Sequence, residues 1–229
     1  HGPPAIRPGG AMTLDFDTAR RIMVDRHVRP ADVTTPQVIA AFLAVPREAF
    51  LPDRLQPFAY SDDDLQVAPG RYLAPPAQLA RLVQASAVKP HEVVLVIGAA
   101  TGYAAAIFAG LCSSVVVLEA DHELAATATR RLAELGFGNV VVVEGPLAAG
   151  YAGEGPYDVI FIEGAIGRLP DEITAQLKEG GRLVAVAGTG NAAYARLWIR
   201  EAGAVSDRRL FNCALKPLQA FEKMPEFEF

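Results

Sequence analysis

The chain has 229 residues, 51% hydrophobic and 21% charged, with a formal net charge of −5. Such a chain is globular and long enough to bury its own core without disulfides or a structural metal, and it lacks the clustered Lys and Arg of a broad nucleic-acid footprint. No apolar run approaches the ~20 residues of a membrane span; the two cysteines, Cys112 and Cys213, lie far apart, without partners at metal-ligand spacing, and read as buried structural thiols.

Residues 1–12, HGPPAIRPGGAM, read as a tag remnant or disordered tail, with Met12 a candidate natural start. Apolar spacing then predicts helices over 13–29, capped by Thr13 or Asp15, and over 34–45, capped by Thr34 or Thr35 and ended at Pro46. A long irregular region follows, about 47–76, of the length that is often functional, and helix resumes at 77–87. From residue 91 the rhythm changes. Strands are predicted at HEVVLVIG (91–98), SVVVLEA (114–120), NVVVVEG (139–145), YDVIFIEG (157–164) and RLVAVAG (182–188). Helices are predicted between them at 102–112, in the DHELAATATRRLAELG stretch ending at Gly136, and at about 170–179, with LKEGG as a turn. NAAYARLWIREAG reads as a helix stopped at Gly203, with Trp198 on its apolar face, and the tail as two strands, about 205–213 and 217–222. Continuous apolar strands alternating with helices define a doubly wound α/β sheet covered on both faces.

In such a sheet ligands sit beyond the carboxyl ends of the strands, where the loop VIGAATGY (96–103) joins the first strand of the sheet to a helix. The dinucleotide pattern G-x-G-x-x-G fails, because its third glycine would fall on Tyr103. The G-x-G-x-G loop of S-adenosylmethionine (SAM) methyltransferases fits better, with Gly98 and Gly102 in place and Ala100 at the centre. Glu119 ends the next strand, 17 residues after Gly102. A carboxylate there accepts from paired ribose hydroxyls, whether of NAD or SAM; the alternative is a solvated acid capping the next helix. Glu163, at the end of the fourth strand, is a second acid facing the crevice or a solvated loop residue. Asp62, Asp63 and Asp64 read as a solvated loop rather than a metal patch, and His27, His91 and His122 are scattered, so no metal is expected.

MVDRHV, AVPREAFLP (44–52), AYSDDDL (59–65), GRYLAPP (70–76), ATGYAAAIFAGL, NVVVVEG, PYDVIFIEGA and QLKEGGRLVAVAG together resemble the protein-L-isoaspartate O-methyltransferase family, from about residue 16 to 190. The resemblance implies a mostly parallel, seven-stranded, Rossmann-like methyltransferase sheet with helices on both faces and an N-terminal helical extension. A helical and lid region (13–89) would form one compact unit with a SAM-binding domain (90–229). It implies SAM-dependent methyl transfer to the carboxylate of isoaspartyl residues in damaged protein, with S-adenosylhomocysteine as product; the few cysteines fit a cytoplasmic setting, and the charge balance and apolar runs lead to no nucleic-acid or membrane partner being expected. The methyl ester would collapse to a succinimide that reopens as aspartate. Cofactor residues would be Gly98, Ala99, Ala100, Thr101, Gly102, Glu119, Ala120, Gly145, Pro146, Leu147 and Glu163. Tyr72, Leu73, Ala74 and Pro75 would line the substrate lid.

The chain departs from the family pattern at telling places. Where the family reads G-Q-T-I-S-Q-P, Tyr72 and Ala74 take the hydroxyl positions, so the active-site hydroxyl is absent at Ala74 and Tyr72 is the nearby candidate. The family's strand-end acid falls on Val96, and its acceptor for the adenine amine on Pro146, leaving the Leu147 N–H. Two readings follow: an active O-methyltransferase, or a non-catalytic relative that binds SAM, S-adenosylhomocysteine or a protein partner. A nicotinamide-binding domain is disfavoured by Tyr103.

Overall fold

A computed structural model describes residues 15–222; the expected tail, 1–12, lies outside them. Helix α1 (Phe16–Met23) starts where the Asp15 carboxylate accepts the Thr18 N–H at 3.0 Å, and runs on through a wider turn, Val24–Val28. Helix α2 (Pro36–Ala44) has Pro36 at its first position, where a missing N–H costs nothing, and places Val38, Ile39, Ala41 and Phe42 in the core. Short turns of 3₁₀ helix then lead to a two-stranded hairpin, β1 (Leu65–Ala68) and β2 (Arg71–Leu73), and to α3 (Pro76–Ala85).

The main sheet holds β3 (Val93–Ile97), β4 (Ser114–Glu119), β5 (Val140–Glu144), β6 (Tyr157–Ile166), β7 (Leu177–Ala187), β8 (Tyr194–Glu201) and β9 (Ala204–Asn212) in the order β5-β4-β3-β6-β7-β8-β9. The first five are mutually parallel; β8 is antiparallel to β7, and β9 is antiparallel to β8. Helices α4 (Tyr103–Ala109), α5 (His122–Glu134) and the short α6 (Asp171–Thr174) lie in the connections. Strand order reverses between β3 and β6, so the crevice of the sheet opens between Gly98 and Glu163. Arg182 of β7 fastens the end of α3 to the sheet: it donates to the Ser86 carbonyl at 2.9 Å and to both Glu92 oxygens at 2.8 Å.

Three local expectations are corrected. Residues 191–203 form no α-helix: Gly190–Ala192 is a 3₁₀ turn and 194–201 is β8, hydrogen-bonded to β7 and β9. Trp198 therefore lies on a strand, partly exposed, against the cluster that includes Leu183 and Ile160. The strand expected at 217–222 is absent; a single bridge, Ala165 to Pro217, and a 3₁₀ turn stand there. Helix 170–179 shrinks to Asp171–Thr174, and LKEGG is the irregular start of β7. A Cβ at Gly181 would lie 2.8 Å from the Lys178 carbonyl oxygen, so the kink there admits only glycine. Cys213 is buried and Cys112 half-buried; both are free thiols that burial pushes up to about 12. No helix of the described residues is long and apolar enough to cross a membrane.

Candidate active site in the strand-end crevice

The loop after β3 is a cradle. Gly98 (φ +74°), Ala100 (φ +51°) and Gly102 (φ +105°) all adopt left-handed backbone, and Gly102 starts α4. Ala100 holds this conformation with a Cβ, at a cost of ~1–2 kcal/mol that glycine avoids. Ala99 is buried, and Thr101 is committed to structure, its hydroxyl donating to the Phe50 carbonyl at 2.7 Å. Val96 is wholly buried on β3.

Glu119 sits at the end of β4 with no exposed surface. Its carboxylate accepts backbone N–H bonds from Ala100 (3.1 Å), Ala120 (2.9 Å) and Asp121 (3.2 Å). Both of its oxygens also accept from the Arg71 guanidinium of β2, at 2.5 and 2.7 Å. This fork-to-fork pair is the strong form of a charge-assisted hydrogen bond. The expected ribose acceptor is thus bound by the chain's own cation.

Across the crevice, Glu163 interrupts the apolar run of β6. Its Oε1 accepts the Ala74 N–H at 3.3 Å, whereas Oε2 is buried without a partner. Burial pushes this carboxyl up to about 7, against the Ala74 N–H and the positive charges of Arg47 and Arg71; the Glu119 charge raises it further. Arg47 is completely buried, donates to the Ala74 carbonyl at 2.9 Å and stacks over the Tyr103 ring at 4.8 Å. Desolvation lowers its pKa. The backbone of Ala74, where the family hydroxyl would sit, is therefore held at its N–H by the Glu163 carboxyl and at its carbonyl by the Arg47 guanidinium. Leu73 is buried beside it, Pro75 caps α3, and the Tyr72 ring lies 5.9 Å from the Lys216 ammonium.

On the adenine side, the Gly145 N–H donates to the Glu119 carbonyl at 3.1 Å, Pro146 is exposed, and Leu147 is buried in the core. Asp62 accepts the Ala77 N–H at 2.9 Å, at the start of α3, and Asp64 reaches the crevice, its pKa raised by burial. His122 pairs with Glu144 on the surface. Among the described residues, no group of three or more His, Cys, Asp or Glu side chains is placed to hold a metal ion.

Gly98, Ala100, Glu119, Glu163, Tyr72 and Ala74 of the expected site thus meet at one crevice, while Thr101, Pro146 and Leu147 are turned to other partners, to solvent or into the core; that crevice is full. A Cβ at Gly98 would lie 3.0 Å from Leu218 and 3.4 Å from Arg71, and one at Gly164 would lie 2.7 Å from Leu218. The remaining cavity, lined in part by Arg71, Tyr72, Glu163 and Lys216, holds about 20 Å³. That admits little more than one water, where a cofactor pocket measures ~300–1,000 Å³. In this arrangement the residues present do not fit a nucleoside cofactor. Sequence reading missed Arg47, Arg71, Lys216 and Leu218. A buried arginine carries no periodicity, and the Arg71–Glu119 pair spans 48 residues; the one available cue was a basic residue between Gly70 and Tyr72.

The sheet order and the strand-end glycine loop with its acid define a Rossmann-like methyltransferase fold. The family described as Protein-L-isoaspartate(D-aspartate) O-methyltransferase (PCMT) matches residues 20–223. Among named relatives, the protein-L-isoaspartate O-methyltransferase of Koribacter versatilis is 33% identical over 203 residues, covering 89% of this chain and 91% of the relative. That of Herpetosiphon aurantiacus is 41% identical over 169 residues, covering 74% of this chain and 75% of the relative. A solved protein-L-isoaspartate O-methyltransferase superposes with a TM-score of 0.75 at 25% identity, covering 88% of this chain and 65% of that longer one. A Plasmodium falciparum structure described as a beta-aspartate methyltransferase in complex with S-adenosyl-L-homocysteine gives the same TM-score, 0.75, at 16% identity, covering 91% of this chain and 100% of its own. The chain belongs to the protein-L-isoaspartate(D-aspartate) O-methyltransferase family.

Proposed function

We propose that this protein transfers a methyl group from SAM to the free carboxylate of isoaspartyl residues in damaged cytoplasmic proteins. Family membership over most of the chain is the observation that carries this reading. SAM supplies an electrophilic methyl on a sulfonium. A carboxylate acceptor, whose ordinary pKa is ~4, is already ionised at neutral pH, so the chain need supply no general base; its task is to hold the acceptor still and keep water out. Gly98, Ala99, Ala100, Gly102, Glu119, Ala120 and Leu147 are the residues we assign to the cofactor, and Tyr72 to Pro75 to the acceptor, with residues 13–89 and 90–229 acting as one unit. The reaction belongs to a form in which the crevice is open.

A second reading, a relative that binds cofactor or a protein partner without turning over, is favoured by Ala74, Val96 and Pro146. Radiolabelled SAM with an isoaspartyl peptide separates the two. The expected result is label on the isoaspartyl peptide and none on its aspartyl isomer. Cofactor binding without any transfer would overturn the first reading in favour of the second.

A further inference from the structure

We infer that the protein carries its own competitor for the cofactor: Arg71 and the strap Leu215–Leu218 form a plug that must leave the crevice before SAM enters. This rests on the SAM reading above. The seat on Glu119 is one observation. A ribose diol offers a carboxylate two neighbouring hydroxyl donors, and Arg71 offers two neighbouring N–H donors on the same oxygens, at 2.5 and 2.7 Å. Both cannot be satisfied at once, since Glu119 also accepts three backbone N–H bonds. The strap is an independent one. Its backbone is fixed to β6 by the Ala165 N–H to the Lys216 carbonyl and by the Leu218 N–H to the Ala165 carbonyl, each 2.9 Å. That anchorage lays Leu218 over Gly98 and Gly164, the two glycines whose missing side chains would otherwise leave room for a ligand.

The plug lies outside the main sheet. The hairpin β1–β2 is a separate two-stranded sheet, joined to the crevice through the Arg71 side chain. The strap is tied to the sheet by one isolated bridge rather than a strand. Binding is therefore weakened by the fraction of molecules that are open, since apparent Kd equals intrinsic Kd divided by that fraction. Removing the plug should tighten binding without adding any contact to the ligand.

The test is calorimetric titration of S-adenosylhomocysteine into the full chain and into Arg71→Gln, Arg71→Ala and Leu218→Ala, with the exposed Arg130→Ala as control. The Arg71 variants are expected to bind at least tenfold more tightly than the wild type, Leu218→Ala more tightly by a smaller factor, and Arg130→Ala equally. Arg71→Gln keeps a neutral hydrogen-bond donor beside Glu119, so it reports on the plug even if Arg71→Ala folds poorly. Wild-type binding that stays within threefold in the Arg71 variants overturns the plug and leaves the SAM reading intact. No binding by any variant at about 1 mM ligand overturns the SAM reading, and with it the plug as the barrier.

Discussion

Glu119→Ala is expected to lower the stability of the folded chain by about 3–5 kcal/mol, the usual cost of removing one partner from a buried ion pair. The substitution leaves the Arg71 guanidinium, itself only 14% exposed, without its counter-charge. It also deprives the N–H groups of Ala100, Ala120 and Asp121 of their common acceptor. Three turns of the crevice are thus organised by one carboxylate: the β2 hairpin, the glycine loop and the start of α5. Glu119→Gln keeps an acceptor oxygen and is expected to cost less. Urea unfolding measures both, through a shifted midpoint at constant slope. A loss under about 1 kcal/mol in Glu119→Ala would show that water or another acceptor takes over the orphaned N–H donors, contrary to the burial of this carboxylate. Arg71→Ala should be milder than Glu119→Ala, because the acid keeps its three backbone donors.

A second large effect concerns pH. The Glu163 carboxyl is pushed up from 4.5 to about 7 in the folded protein, chiefly by burial. The folded state therefore holds a proton that the unfolded state has released between those values. The stabilising contribution is complete below pH 4.5 and is lost as pH rises through 7. At 1.36 kcal/mol per unit, the loss across that window is about 3 kcal/mol. The groups acting on this carboxyl are the Ala74 N–H, Arg47, Arg71 and Glu119. Glu163→Gln removes the titration. Relative to wild type, the variant should gain about 3 kcal/mol between acid and pH 8. Stability curves against pH, by denaturant titration, read this as a change of slope, which a constant packing offset from the new amide cannot mimic. Parallel curves for the two proteins would mean that Glu163 ionises normally, through hydration of its unpartnered oxygen.

The parallel half of the sheet was legible from residue type alone. Val93–Ile97, Ser114–Glu119 and Val140–Glu144 are runs of β-branched residues too short for helices and flanked by turn residues. The β8 strand was not. YARLWIRE contains Ala, Arg, Leu and Glu, good helix formers, and Arg196 and Arg200 fall at four-residue spacing. What decides its state is pairing with β7 and β9, and the burial of Ala195 and Leu197, which alternate with partly exposed neighbours. Strand preference depends on such neighbours more than on intrinsic propensity. The seven-stranded count was reached with a different member, since 217–222 is the end of the strap and a 3₁₀ turn, not a strand.

The site was legible in outline for a similar reason. Gly98, Gly102 and Glu119 are a local pattern, separated by one strand and one helix, and the fold brings them to one crevice. Arg71, Arg47 and Leu218 reach the same place through long-range packing, which leaves no local periodicity. The departures from the expected family pattern at Ala74, Val96 and Pro146 lay in the sequence; only the folded chain places Arg71 and Leu218 in the crevice.

A crystal structure of the full chain grown with saturating S-adenosylhomocysteine bears most directly on how this crevice works. The expected result is the ribose hydroxyls on Glu119, the Arg71 guanidinium turned away from it, and Leu218 lifted from Gly98 and Gly164. Ligand bound while Arg71 stays bidentate on Glu119 would contradict it.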